Sequence, residues 1–118
     1  MEKESIIKVK SYAFALKTVR LGRSLQKSEK EFILTTQLIR SATSIGSNVE
    51  ESSQAQSKAD FIHKLSIALK ETFETHYWIR LMKDSEVMKI EVADELLEDC
   101  TEIKKILVAI INTSKRNR

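Results

Sequence analysis

Residues Leu34–Ser52, LTTQLIRSATSIGSNVEES, decide the architecture of this chain. Their larger apolar members fall at Leu34, Leu38, Ala42, Ile45 and Val49, the i, i+4, i+3 rhythm of one helical face. Ser41, Ser44, Gly46 and Ser47 between them are small, which lets neighbouring backbones approach. The stretch reads as the central helix against which the other helices pack. A glycine inside a helix costs about 1 kcal/mol relative to alanine. Because the rhythm continues from Ile45 to Val49, the helix is expected to run through Gly46, a close-packing position; a kink there is the alternative.

Outward from that helix, the composition favours more helix. The chain of 118 residues holds two glycines and no proline, whereas strand-rich folds need frequent turns built on those residues. It fits one domain, residues 1–118, large enough to bury a core. No apolar run approaches the ~18 residues of a membrane span, and Met1–Ser5 leads into an amphipathic segment, not an apolar signal core. The lone Cys100 has neither a disulfide partner nor metal-ligand spacing around it. These features point to the cytoplasm and away from membranes.

Four helices are expected, at about 5–26, 29–54, 58–84 and 89–114. The first carries two apolar stripes, Ile7, Phe14, Leu21 and Leu25 on one side and Val9, Tyr12, Leu16 and Val19 on another. A surface helix of a monomer needs one, so the second suggests cover by another subunit. Ser28, with Glu31 as its box partner, is the expected cap of the second helix, and Ser57 that of the third. The third helix has a core stripe at Phe61, Ile62, Leu65, Ala68, Leu69, Thr72, His76 and Ile79. A further set, Ile67, Trp78, Leu81 and Met82, lies off it. Tyr12, Leu16, Ile67, Trp78 and Leu81 are therefore the candidate oligomer contacts, with Trp78 as anchor. Helix 4 buries Val92, Ala93, Leu96, Leu97, Cys100, Ile103, Leu107 and Ile110 or Ile111. Short connections make the whole an all-α, antiparallel up-and-down four-helix bundle.

The sequence carries no recognisable catalytic or cofactor motif. Asp60-Phe61-Ile62-His63 has the carboxylate-x-x-histidine spacing of di-iron bundles, but Phe73 stands where His76 would need its carboxylate. No Arg precedes either histidine at the four-to-six spacing of certain helical ribonucleases. There is no phosphate-binding glycine loop, paired-histidine zinc site or nucleophile elbow. The reading is no enzyme, no cofactor and no metal. Arg40, Ser44, Asn48 and Glu51 share one flank of helix 2, with Glu74 of helix 3 in reach; such groups usually fix helix register.

Charge is uneven. Residues 1–30 carry eight Lys or Arg against three Glu in a chain of net charge +3. Lys10, Lys17, Arg20 and Arg23 on the first helix, with Lys115, Arg116 and Arg118 at the tail, are the candidate phosphate contacts. No aromatic platform for stacking bases is evident, so little sequence specificity is expected.

The stretch from Leu34 to Glu51, followed by Phe61–Thr72 and Glu74–Leu81, resembles the signature of the four-helix bundle proteins first noticed in intervening sequences of bacterial 23S rRNA genes. Many members have proline or alanine at the position of Gly46 and glycine at that of Ser52. The resemblance implies an up-and-down bundle assembling into a homopentameric ring. It also implies kinship with accessory proteins of diversity-generating retroelements, which bind nucleic acid and a reverse transcriptase through a basic surface. The expected function is therefore a non-enzymatic ring binding RNA or DNA; the alternative is a protein-interaction scaffold.

Overall fold

The computed structural model describes residues 2–117. It contains α1 (Glu2–Ser28), α2 (Ile33–Ser52), α3 (Lys58–Asp84) and α4 (Ile90–Arg116), with no strand among the described residues. Links of four or five residues reverse the chain after each of the first three helices. Pairing of Lys10 with Glu102 and of Lys17 with Glu95 shows α1 and α4 running in opposite senses. The product is an antiparallel four-helix bundle about 49 Å long and about 20 Å across.

The helices form a square. α1 packs on α2, α2 on α3 and α3 on α4; α4 closes more sparsely on α1, and no diagonal pair packs directly among the described residues. This corrects the expectation of a central helix. α2 is one corner of the square, and its small residues serve two seams.

One core fills the square. Leu38, Ala42, Ile45 and Val49 of α2 meet Ile7 and Phe14 of α1, Leu65, Ala68, Ile79 and Met82 of α3, and the Ala93-to-Ile111 stripe of α4. Burying each large aliphatic side chain contributes about 1.5–3 kcal/mol. Met82, expected off the core stripe, is fully buried, and Trp78 is half-buried against the same core. α3 therefore turns a wider arc inward than its first stripe suggests.

Buried hydroxyls let the backbones close in. Ser11, Thr18, Thr35, Ser41, Ser52, Thr72 and Thr75 are all buried. Each donates to a carbonyl three or four residues earlier in its own chain, as Thr18 does to Ala15 O at 2.9 Å and Thr72 to Ala68 O at 2.8 Å. No such hydroxyl is left unpaired, so burial carries little penalty. Gly46 lies inside an uninterrupted α2, where a Cβ would stand 3.5 Å from Ser11 O of α1. It marks a close approach, with no break in the helix.

The helix ends differ from expectation mainly at the first turn. α1 begins at Glu2 and continues through Ser28, and Glu29 N still donates to Leu25 O at 2.8 Å. Ser28 is thus not a cap. The chain breaks at Lys30, whose φ of 56° is left-handed and incompatible with helix continuation. α2 starts at Ile33, where the Glu31 carboxylate accepts from Leu34 N at 2.6 Å and Thr35 N at 3.3 Å. Glu31 itself satisfies the free donors, in place of the expected box. α2 ends at Ser52, two residues early, and α4 runs from Ile90 to Arg116, so Lys115 and Arg116 form a last helical turn in place of a tail. Ser57 caps α3, its Oγ accepting from Asp60 N at 3.0 Å.

Candidate functional site

Three surfaces carry the residues of interest. The first is the α1–α4 seam, the most open of the four, where Lys10, Phe14, Lys17, Asp99, Glu102 and Ile103 help line a groove of about 210 Å³. Lys17 Nζ donates to Glu95 at 2.6 Å and to Asp99 at 2.8 Å, and Lys10 lies 3.1 Å from Glu102. The hydrogen bond that Lys17 donates to Asp99, then that to Glu95, raises the pKa of its ammonium above the ordinary value. The acids that crowd the first half of α4 thus meet the bases of α1. Two of the candidate phosphate contacts are already partnered.

The other candidates are apart from these and from one another. Arg20 and Arg23 are exposed near the far end of α1 and make no ion pair with any described residue. Lys115 and Arg116 are exposed on the last turn of α4, and Arg116 contacts Thr113 Oγ1 at 3.4 Å. That turn lies beside the start of α1, about 25–30 Å along the bundle from Arg20 at 1.5 Å per residue. Arg118 lies outside the described residues. The six described basic residues do not form one patch.

Along the outside of α1 runs an apolar strip in which Val9 is 70% and Tyr12 67% exposed, with Ile6 and Leu16 beside them. Arg20 and Arg23 continue the same helical face. The other interface candidates sit on α3, diagonally across the square: Leu81 is at the surface and Ile67 half-buried. Trp78 packs on its own core, and its Nε1 donates to Glu74 at 3.1 Å. The candidate contacts therefore fall on two faces.

The second surface is the α2–α3 seam. Arg40 donates to the Glu74 carboxylate, lies 3.6 Å from Glu71 Oε1, and donates from Nε to Gln37 at 3.2 Å. Glu71 Oε1 is buried without a hydrogen bond, so the guanidinium beside it is its compensation. Thr75 Oγ1 and Ser41 Oγ meet at 2.8 Å within the same seam. Asn48 donates to Ser44 O at 2.9 Å, and Glu51 receives Lys64 at 2.9 Å. The five polar candidates thus divide into Arg40 with Glu74, Ser44 with Asn48, and Glu51 alone with Lys64. Glu71 escapes a sequence reading; its signal is its place one turn before Glu74 on the same flank.

The third surface is the α3–α4 side. Thr72, Phe73, His76, Cys100, Thr101 and Lys104 line a niche of about 90 Å³. Burial pushes the Cys100 thiol up to about 12, with Asp99 adding to the effect, and the thiol donates weakly to Thr72 O at 3.8 Å. Such a thiol is not a nucleophile at neutral pH. Burial lowers the His76 imidazole, helped by the positive charges of Arg80 and Lys104. Asp60 and His63 are not joined in a site, and no group of three His, Cys, Asp or Glu could hold a metal among the described residues. Phe73, at the rim of the niche, and Tyr77 are 56% and 48% exposed, one turn apart. The sequence reading does not single these rings out: their i and i+4 spacing resembles a core stripe, but the core takes Thr72, Thr75 and Ile79 instead.

Residues 3–109 match the model of the family described as 23S rRNA-intervening sequence protein. The chain belongs to that family. It is also similar to the crystal structure of a protein with unknown function from the S23 ribosomal protein family of Bacteroides thetaiotaomicron VPI-5482. The two are 46% identical with a TM-score of 0.92, over 93% of this chain and 98% of the other. No curated protein matches the chain. The family match spans all three surfaces described above and stops within α4, before Lys115 and Arg116. Among the described residues, no helix is long and apolar enough to cross a membrane.

Proposed function

We propose that this chain is a non-catalytic cytoplasmic protein that assembles with copies of itself, as a ring of five, and holds RNA or DNA through free surface cations with little regard to sequence. The carrying observation is that Arg20 and Arg23, unpaired at the end of α1, continue the exposed strip of Val9, Tyr12 and Leu16. An exposed apolar strip favours assembly, and assembly repeats the arginine pair. One copy offers few phosphate contacts; affinity multiplies with each contact added. Cys100, held protonated and donating to a carbonyl, supports a role without catalysis. Kinship with retroelement accessory proteins adds a reverse transcriptase as a protein partner by analogy.

A second reading is a scaffold that docks a partner protein, and the same strip favours it. Binding to labelled RNA and duplex DNA at about 50 and 200 mM salt, with the mass in solution recorded, separates the two. The nucleic-acid reading expects an oligomer whose affinity falls on the order of a hundredfold across that range. An oligomer indifferent to both polymers overturns it in favour of the scaffold, and a monomer at every concentration removes the assembly.

A further inference from the structure

The outer face of α3 differs in chemistry from every other exposed strip. Lys70, Phe73, Tyr77 and Arg80 fall on one helical arc, all exposed, and Lys104 of α4 reaches over the Phe73 ring at 5.5 Å. Arg80 lies 5.9 Å from the centre of the Tyr77 ring. The Tyr77 ring is braced edge-on by Trp78, with centroids 5.1 Å apart, and Trp78 is fixed in turn by Glu74.

The cations on this face are free of carboxylates, and Arg80 and Lys104, which lie over the Tyr77 and Phe73 rings, swing aside when a base stacks there. Lys70, Arg80 and Lys104 make no ion pair with any described residue, in contrast to Lys10 and Lys17 at the opposite corner. The neighbouring carboxylates Glu71 and Glu74 turn to Arg40 on the α2 side. Asp84, at the end of α3, is the one carboxylate on the arc. Exposed rings flanked by unpaired cations suit a chain of planar bases joined by phosphates. The α1 strip, aliphatic apart from Tyr12, suits protein instead.

We infer that this face binds single-stranded nucleic acid, with unpaired bases stacking on Phe73 and Tyr77 and the phosphates meeting Lys70, Arg80 and Lys104. The two rings step about 6 Å along the helix, wider than the ~3.4 Å rise of a stacked strand. A base on each ring is therefore an opened strand; a duplex hides its base faces and gains only the cations. This deepens the proposed nucleic-acid binding by giving it a strand preference, and it rests on that reading only for the claim that the chain meets nucleic acid at all.

The test compares a labelled single-stranded oligouridylate with an RNA duplex of equal length, using the full chain and the double variant Phe73→Ala/Tyr77→Ala. Both side chains are exposed, and thermal unfolding checks that the bundle survives; Phe73→Tyr/Tyr77→Phe, which keeps two rings, is the rescue control. Base–aromatic stacking contributes about 1–3 kcal/mol per base, so the alanine variant should lose at least about 25-fold on the single strand and less than about threefold on the duplex. The rescue variant should bind like the original. Equal losses on both polymers, or no loss on the single strand, overturns the stacking face while leaving general phosphate binding intact. No binding to either polymer overturns the general reading and this one together, whereas binding to the single strand with the predicted alanine loss supports both. A change in oligomer mass on alanine substitution, with RNA binding unmoved, assigns the face to a second copy of the chain and overturns it.

Discussion

The α2–α3 and α1–α4 seams close the same square by opposite means. At α2–α3 the backbones come close over Ser41 and Thr75, whose hydroxyls meet at 2.8 Å inside the protein, and Arg40 covers a buried Glu71 oxygen. At α1–α4 the contact is sparse, a groove stays open, and Lys10 and Lys17 bridge it at the surface to Glu102, Glu95 and Asp99. The Ser41, Thr75 and Glu71 oxygens of the first seam are enclosed and need compensation, although the Arg40 side chain that covers Glu71 is itself half exposed. The polar groups of the second stay in water, where ion pairs contribute little. The first seam fixes how α2 and α3 fit; the second mostly decides which cations remain free.

Substitutions can break that contrast. Arg40→Ala strips the compensation from Glu71 and should cost about 2 kcal/mol, read as a lower urea midpoint with an unchanged slope; a loss below half that would place the Glu71 oxygen in water. Thr75→Val keeps the shape and removes one hydroxyl. Ser41 retains its own bond to Leu38 O, so about 1 kcal/mol is expected, again by urea unfolding. Lys17→Ala at the open seam should cost less than about 0.5 kcal/mol, and the difference should shrink further in about 0.5 M salt. If Lys17→Ala destabilises as much as Arg40→Ala, the two seams are not different in kind.

Local rhythm made the helices legible. The Leu38, Ala42, Ile45, Val49 spacing fixes the inward face of α2 without knowledge of its neighbours, and the second stripe of α1 announces exposed apolar residues at Val9 and Tyr12. What was not legible depends on register between helices. Lys17 finds Glu95 across 78 residues of sequence, and no local pattern reveals that the acids of α4, which also suit its dipole, lie opposite the bases of α1. Ser28 and Glu31 look like a capping pair, but the left-handed Lys30 places the break two residues later. Phe73 and Tyr77 keep helical spacing whether they face in or out, and Met82 shows the reverse case.

The central claim is that free cations, and not total basicity, hold nucleic acid. The most direct measurement is the affinity of labelled RNA at about 50 mM salt for Arg20→Gln/Arg23→Gln beside Lys10→Gln/Lys17→Gln, variants of equal net charge. The account predicts a loss of at least about tenfold for the arginine pair and less than about twofold for the lysine pair, already bound to α4. Equal losses, or a larger loss from the lysines, would contradict it.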